Sequence, residues 1–382
     1  MGKHLVLVGG GHAHMTTLRN IDHFYRRGHR VTLVNPSPYH YYSGMGPGML
    51  GGIYEPREVR FHIREMAEKH GAKFIRDKAV RVDPAHRTII LGSGETVPFD
   101  VASFNTGSSV PPELCTGSDE RVFMVKPILN LYRARIMLLR EIERRPLDIV
   151  VLGGGPAGVE ITANLHRLLL GRNHQACITL IGGSRILAKV PERVRHLALD
   201  SLTKRGIRIR EGVRGEELGR GMATLSDGSR LNYDFAFIAT GILPSPLFVE
   251  SSLPTGDNGG LLVNSCLQST AHPALFGGGD CIALDGNPLA KVGVYAVRQN
   301  PVLFHNLMAA LEGGDLQKFD PGGAYMLIMN MGDGTGILWK KSLVINSRIS
   351  FLLKDFVDRR FMKKFQVSGE RDEPFDEASI IE

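Results

Sequence analysis

The stretch Asp148-Ile-Val-Val-Leu-Gly153-Gly154-Gly155-Pro156-Ala157-Gly158-Val159-Glu160 decides the fold. An unbroken apolar run enters three glycines and then a helix expected to reach about Leu170. A second apolar strand follows at Cys177-Ile-Thr-Leu-Ile181. Strands buried on both faces read as continuous apolar runs, so this is a parallel strand–helix–strand unit. Its glycines keep the full G-x-G-x-x-G spacing of a dinucleotide site. Gly153 permits the tight turn, Gly155 lets a pyrophosphate approach the backbone, and Gly158 lets helix and strand pack closely. Pro156 and Ala157 open the helix, whose free N–H groups and dipole favour an anion.

Working outward, the N-terminus repeats the pattern. Leu5-Val-Leu-Val-Gly9-Gly10-Gly11-His12-Ala13-His14-Met15 precedes a helix expected to run to about Arg27 and a strand at Arg30–Val34. Gly9 takes the turn and Gly11 the approach to phosphate. His14 replaces the third glycine, so it is expected to pack or to touch phosphate, with His12 and Ala13 beside it. Asn35 stands where an acidic residue usually grips a ribose. The repetition extends further. Arg87 to Phe99 reads as a hairpin around Gly92-Ser-Gly94 and leads into Val101-Ala-Ser-Phe-Asn105-Thr106-Gly107. Met222 to Tyr233 reads as a hairpin around Asp227-Gly228 and leads into Phe235-Ala-Phe-Ile-Ala239-Thr240-Gly241. The chain is therefore an α/β protein of two Rossmann-like units, and the run from Leu275 to Gly279-Asp280 returns it to the first.

At 382 residues the chain exceeds what one core usually supports, so two domains are expected. Four Cys without a CxxC spacing indicate a reducing compartment, neither a disulfide framework nor a zinc site. The histidines and methionines form no ligand set, so no metal is expected. The start lacks the features of a signal peptide, and no apolar window is long enough to span a membrane. Lys plus Arg exceed Asp plus Glu by 46 − 39 = 7, which fits an anionic ligand or surface. No nucleic-acid partner is expected.

The paired fingerprints resemble the two-dinucleotide-binding flavoproteins of the disulfide-reductase fold, and within them the type II NADH dehydrogenase and sulfide:quinone reductase branch. Gly9 to His14, Asn35 to Gly48, and Lys291-Val-Gly293-Val-Tyr295-Ala-Val-Arg298-Gln299-Asn-Pro301 resemble one bacterial subgroup, an NADH dehydrogenase-like protein sometimes fused to selenophosphate synthase. That resemblance implies FAD in a discontinuous domain of residues 1–113 and 260–330, and NADH or NADPH in residues 114–259. It implies flavin contacts from Val80, Thr106, Gly107, Gly279, Asp280, Lys291, Gly293 and Val294, with Asp280 accepting a hydrogen bond from the ribityl chain. It also places the N-terminus of the helix near Val294 to Leu307 at the flavin carbonyl. On the nicotinamide side it implies Gly153, Gly155, Pro156, Ala157, Gly158, Thr240 and Gly241, with Glu160 positioning the dihydronicotinamide. Tyr295 and Gln299 are expected on the acceptor side. Gly182-Gly183-Ser184-Arg185 lacks the acidic ribose reader, so NADPH bound through Arg185 and a weakened site both stay open.

The stretch from Tyr39 to Ile53 has no Cys, which excludes disulfide chemistry; a sulfide-oxidising Cys pair is likewise missing. Cys281 adjoins Asp280. Residues 340–365 carry eight basic and two acidic side chains beside an apolar stripe of Ile349, Leu352, Leu353, Phe356, Val357, Phe361 and Phe365. Such a helix suits a membrane interface, as in related quinone reductases, or docking on the flavin domain or a second copy in a homodimer. Residues 331–368 are read as this segment and 369–382 as a disordered tail. The reading is a cytoplasmic FAD-dependent NAD(P)H dehydrogenase, peripheral at the inner membrane face, with a quinone-like acceptor. A sulfide:quinone-type enzyme and a non-catalytic flavin-binding protein of selenium metabolism are the alternatives.

Overall fold

Two five-stranded parallel sheets carry the architecture of the computed structural model, which describes residues 2–110, 114–115 and 119–373. Their strands are, in chain order, β1 (His4–Val8), β2 (Arg30–Val34), β3 (Lys73–Ile75), β4 (Val101–Phe104), β5 (Val122–Met124), β6 (Leu147–Leu152), β7 (Ala176–Gly182), β8 (Arg208–Glu211), β9 (Phe235–Ile238) and β10 (Leu275–Gly277). The first sheet has the order β10-β4-β1-β2-β3 and the second β5-β9-β6-β7-β8. Four positions correspond, while the edge strand beside the small-residue strand comes from the end of the chain in the first sheet (β10) and from ahead of the fingerprint strand in the second (β5). In each, the fingerprint strand lies between its βαβ partner and the strand ending in Asn105-Thr-Gly107 or Ala239-Thr-Gly241. The chain reverses direction across the sheet there, and ligands of open parallel sheets bind at the strand ends of such a reversal.

The strands are built as their composition requires. Leu5 to Val8 and Ile149 to Leu152 are all buried, so these strands are covered on both faces. A three-stranded antiparallel sheet is inserted in each unit, Ala79–Asp83 to Thr96–Pro98 between β3 and β4 and Gly215–Gly219 to Arg230–Asn232 between β8 and β9. Helix α1 (Pro156–Leu169) follows β6 without interruption. The corresponding N-terminal helix is broken: a 3₁₀ turn at His12–His14 and helices at Met15–Arg19 and Ile21–Tyr25 replace one continuous rod. The break falls at Asn20, which leaves helical dihedrals (φ −120°, ψ 32°) while its side-chain amide joins its own N–H in donating to the Thr16 carbonyl.

Helix α2 (Gly293–Glu312) packs on the first sheet's fingerprint turn. Beyond it, strands Leu327–Asn330, Gly336–Lys340 and Leu343–Ser347 form an antiparallel sheet that starts before residue 331, so the C-terminal segment is longer than expected. Helix α3 (Arg348–Phe365) follows, capped by the Ser347 hydroxyl accepting from the Ser350 N–H. The tail expectation needs correction at 369–373. Glu370 is buried and accepts from the His62 N–H, and Glu373 accepts from Arg60 and Tyr39. Buried carboxylates with partners hold this stretch in place. Residues 374–382 lie outside the described residues, as does residue 113 at the expected domain junction.

Candidate active site

A cavity of about 1240 Å³ joins the two sheets, and both fingerprint turns open into it. Drug-sized pockets are usually below about 1,000 Å³, so this one has room for more than a single small ligand. Its wall takes Gly11 and His12 from one turn and Gly153 to Ala157 from the other. Asn105 to Ser108 and Ala239 to Ile242 line it at the opposing strand ends.

The turns are tight for a shared reason. Gly9 has φ +87°, and a Cβ there would lie 2.4 Å from the Asn105 carbonyl oxygen. Gly153 has φ +135°, with the Ala239 carbonyl oxygen 2.3 Å away from such a Cβ. Only glycine tolerates both the dihedral and the approach. Of the two parts expected of His14, packing or touching phosphate, the structure has it pack. It is buried beneath the turn, its Nδ1 bonded to the Gly9 carbonyl at 2.6 Å and its Nε2 to the Ser103 hydroxyl at 2.8 Å. A carbonyl only accepts, so Nδ1 carries the proton and Nε2 accepts from Ser103. Burial lowers its pKa to about 4, so it is neutral near pH 7. Gly9, Ala13 and Gly158 likewise support the wall without lining it.

His12 does line the cavity, 3.2 Å from His40 and stacked on Phe361 at 5.8 Å. Burial brings its pKa to about 4 and takes that of His40 well below the usual value, so the pair is uncharged. Its buried Nε2 and the Thr106 hydroxyl have no hydrogen-bond partner among the described residues. Asp280 accepts from the Ser108 hydroxyl at 2.9 Å and from the Lys126 ammonium at 2.8 Å. Lys291 and Gly293 close the wall at the start of α2. Burial, with Cys281 and Asp280 opposing it, lowers the Lys291 pKa.

Glu160 reaches the cavity from the second turn of α1, accepting from the Asn330 N–H at 2.8 Å. Burial raises its pKa to about 7; Lys354 and the Asn330 amide work against the rise and Asp358 adds to it. Lys354 arrives from α3, donating to Asp358 at 2.6 Å and to the Gly44 carbonyl at 2.7 Å. Burial disfavours the Lys354 charge, but Asp358 and Glu160 outweigh it and hold its pKa above the ordinary value. Tyr42 donates to the other Asp358 oxygen at 3.0 Å. The C-terminal helix thus completes the environment of a group almost 200 residues earlier in the chain.

Several expected residues lie elsewhere. Tyr295 and Gln299 line a smaller cavity of about 390 Å³ behind Asp280 and Lys291. Gln299 accepts from the Gly279 N–H at 2.7 Å, so it positions the Gly279–Asp280 turn. Arg185 points away from the large cavity and pairs with Glu192 at 2.8 Å. Val80 is exposed on the inserted antiparallel sheet, and Val294 faces away from the wall. Asn35 lines the cavity and accepts from the Gly10 N–H. Sequence reasoning missed Lys126, Ser108, Arg214, Lys354 and Asp358, which no nucleotide fingerprint contains. Asn105 is also new: it accepts from the Ala13 N–H and donates to Gly278, tying three strand ends together. No Cys lines the cavity; Cys281 is buried and burial raises its thiol pKa.

The family model described as pyridine nucleotide-disulphide oxidoreductase matches residues 3–307. A potato protein named internal alternative NAD(P)H-ubiquinone oxidoreductase A1, mitochondrial, is 32% identical over 204 residues, 51% of this chain and 40% of its own length. The sulfide:quinone oxidoreductase of Aquifex aeolicus superposes with TM-score 0.78 at 18% identity, covering 99% of this chain and 95% of that one. NDH2 of Plasmodium falciparum, solved with NADH, gives TM-score 0.78 at 14% identity, covering 97% and 98%. At these identities the two structures speak for the fold.

Proposed function

Because this chain belongs to the pyridine nucleotide-disulphide oxidoreductase family, we propose that it is an FAD-dependent NAD(P)H dehydrogenase passing electrons to a quinone-like acceptor. The observation that carries the reading is the single cavity into which both glycine turns open, with no Cys in its wall. A dithiol route from flavin to acceptor has no residues here, which leaves direct transfer to a soluble or lipid-borne acceptor.

The residues fit FAD on the N-terminal side. Gly11 offers a bare backbone for a pyrophosphate, Asn35 lines the wall where a ribose would lie, and the unpartnered His12 and Thr106 atoms would be free to bond the cofactor. Asp280 retains a second oxygen for a ribityl hydroxyl while Lys126 and Ser108 hold the first. The N-terminus of α2, with Lys291, presents positive potential to the ring. FAD, when bound there, supplies the hydride-accepting centre. On the opposite side, Gly155 and the N-terminus of α1 receive the nicotinamide nucleotide's pyrophosphate, and Glu160 orients its reactive ring. Glu160 would align the dihydronicotinamide for transfer of its hydride, with the electron pair, to the flavin; its own pKa of about 7 lets its charge change near neutrality.

The relation to the subgroup associated with selenophosphate synthase rests on the motifs at Gly9–His14 and Lys291–Pro301 and belongs to this proposal. So does a membrane interface on α3. Ile349, Leu352, Leu353, Phe356 and Val357 are all exposed on that helix, among basic side chains. Among the described residues no helix is long and apolar enough to cross a membrane, so contact would be with one leaflet. The test is anaerobic mixing of the flavin-loaded protein with NADH and with NADPH. Bleaching of the flavin and its recovery on adding a soluble quinone are expected. A flavin that stays oxidised with both nucleotides would overturn the proposal.

A further inference from the structure

At the end of β7, where a carboxylate would read a 2′-hydroxyl, the chain has Gly182 followed by Gly183-Ser184. A side chain at 182 has no room as the site stands. Its Cβ would meet Ile186 Cδ1 at 2.6 Å and the Ser184 carbonyl oxygen at 3.0 Å, and Ile186 is fully buried. The nearest carboxylate on the neighbouring strand is Glu211, paired in register with Gly182. It is already committed, accepting from the Ile186 N–H at 2.5 Å and from Arg195 through both oxygens at 2.8 Å. No Asp or Glu from this end of the sheet lines the cavity, whose only lining carboxylates among the described residues are Glu160 and Asp280.

A cation is there instead. Arg214 lines the cavity together with Gly183 and Ser184, carried by the turn after β8. Its stem crosses directly over Gly183: a Cβ at that glycine would lie 2.5 Å from Arg214 Cγ and 3.2 Å from Nε. Gly183 is thus the residue that lets Arg214 lie across the strand end. The turn is anchored by the Arg214 N–H donating to the Ser226 hydroxyl at 3.0 Å. Three neighbouring arginines are spent on carboxylates, Arg185 on Glu192, Arg195 on Glu211 and Arg210 on Asp227. No carboxylate pairs with the Arg214 guanidinium among the described residues.

We propose that Arg214, with the Ser184 hydroxyl and the open backbone at Gly182-Gly183, is a 2′-phosphate reader that makes this protein an NADPH-preferring enzyme. The inference rests on the proposed dehydrogenase function and narrows its donor. A site lacking a carboxylate loses the hydrogen bond that favours an NADH ribose and the repulsion that excludes a 2′-phosphate. A guanidinium over the same position adds a charge-assisted, bidentate contact to that phosphate. The contact is exposed to solvent, so it weakens as salt rises.

The test separates recognition from redox chemistry. Calorimetric titration of the oxidised, flavin-loaded protein with 2′,5′-ADP and with 5′-AMP reads the 2′-phosphate without any hydride transfer. We expect 2′,5′-ADP to bind roughly ten- to a hundredfold more tightly. Arg214→Ala should bring the two ligands together by weakening 2′,5′-ADP alone, whereas Arg185→Ala should leave both unchanged. Arg214 is exposed, and retention of the yellow flavin reports that the variant is folded. Equal binding of the two ligands by the wild type, or binding of neither, overturns the proposal. So does an equal loss of both on Arg214→Ala, which would mean that the arginine stacks on adenine. Loss on Arg185→Ala would assign the role to the other arginine and also overturn it. Failure of the dehydrogenase reading looks different: 2′,5′-ADP would still bind preferentially while neither NADH nor NADPH bleached the flavin.

Discussion

At the residue scale, two kinds of buried titratable group pull stability in opposite directions. Glu160 has its pKa raised from 4.5 to about 7, so the folded protein holds a proton that the unfolded chain releases in that interval. Its contribution therefore falls as pH rises from 4.5 to 7, and the ionised carboxylate costs the fold thereafter. Glu160→Gln keeps an acceptor for the Asn330 N–H without the charge. Above pH 7 the variant should melt at a higher temperature than wild type, and below pH 5 the two should coincide. The inflection near pH 7 in the rate of flavin reduction should vanish with it; an unchanged pH profile would remove Glu160 from the chemistry. His14 has the opposite sign. Its folded pKa of about 4 lies below the usual 6.5, so its contribution is complete above 6.5 and is lost as pH falls toward 4. A shift of that size is worth about 3 kcal/mol. His12 and His40 shift the same way, so the three histidines outweigh Glu160 and acid should release the flavin across this window. Fluorescence of freed FAD between pH 7 and 4 measures it.

Among the elements, α3 has two apolar faces that its composition does not separate. One face docks: Ser350, Asp358, Met362 and Phe365 are buried, Phe361 lies 5.0 Å from Tyr42, and Phe365 meets Phe61 edge-on. The other face shows Ile349 at 77%, Leu352 at 61% and Phe356 at 61% exposed. The docked face is thus distinct from the face proposed above to meet lipid. Phe365→Ala should cost roughly 3–5 kcal/mol of stability, seen as a lower melting temperature, because it empties a filled site. Leu352→Glu combined with Phe356→Glu should leave stability and NADPH-driven flavin reduction unchanged. It should abolish sedimentation with vesicles of anionic phospholipid. Persistent sedimentation would place the lipid contact elsewhere.

On the scale of the whole molecule, two copies of one unit face each other across a shared cavity, and their glycine turns are separable. A Cβ on Gly155 meets nothing within 4 Å, so a larger side chain there projects into the cavity without disturbing the packing beneath. Gly155→Leu should retain FAD and lose reduction by nicotinamide nucleotide. Absorbance of the purified variant and anaerobic mixing test both halves of that statement. A colourless variant would show that the two sites are not independent.

Local rules were enough for a good part of this. Each βαβ unit is a contiguous segment in which strand periodicity, glycine spacing and helix start agree, so β1, β2, β6, β7 and the turns at Gly9 and Gly153 were legible from sequence. The duplication was legible for the same reason, since both hairpins and both small-residue strands recur at matching positions. The broken helix at Asn20 was not, because a side chain's choice of its own backbone depends on what surrounds it. Nor were the partners at the site. His14 could as well have touched phosphate as the Gly9 carbonyl until burial chose. Arg185 sits where the fingerprint expects a reader, yet Glu192 holds it and Arg214 lines the cavity instead. Lys354 and Asp358 lie almost 200 residues from Glu160 and belong to no motif. Sequence alone determined what short-range sterics and periodicity control. The tertiary structure decided which charges meet, because burial and electrostatics act between residues that only the packed chain brings together.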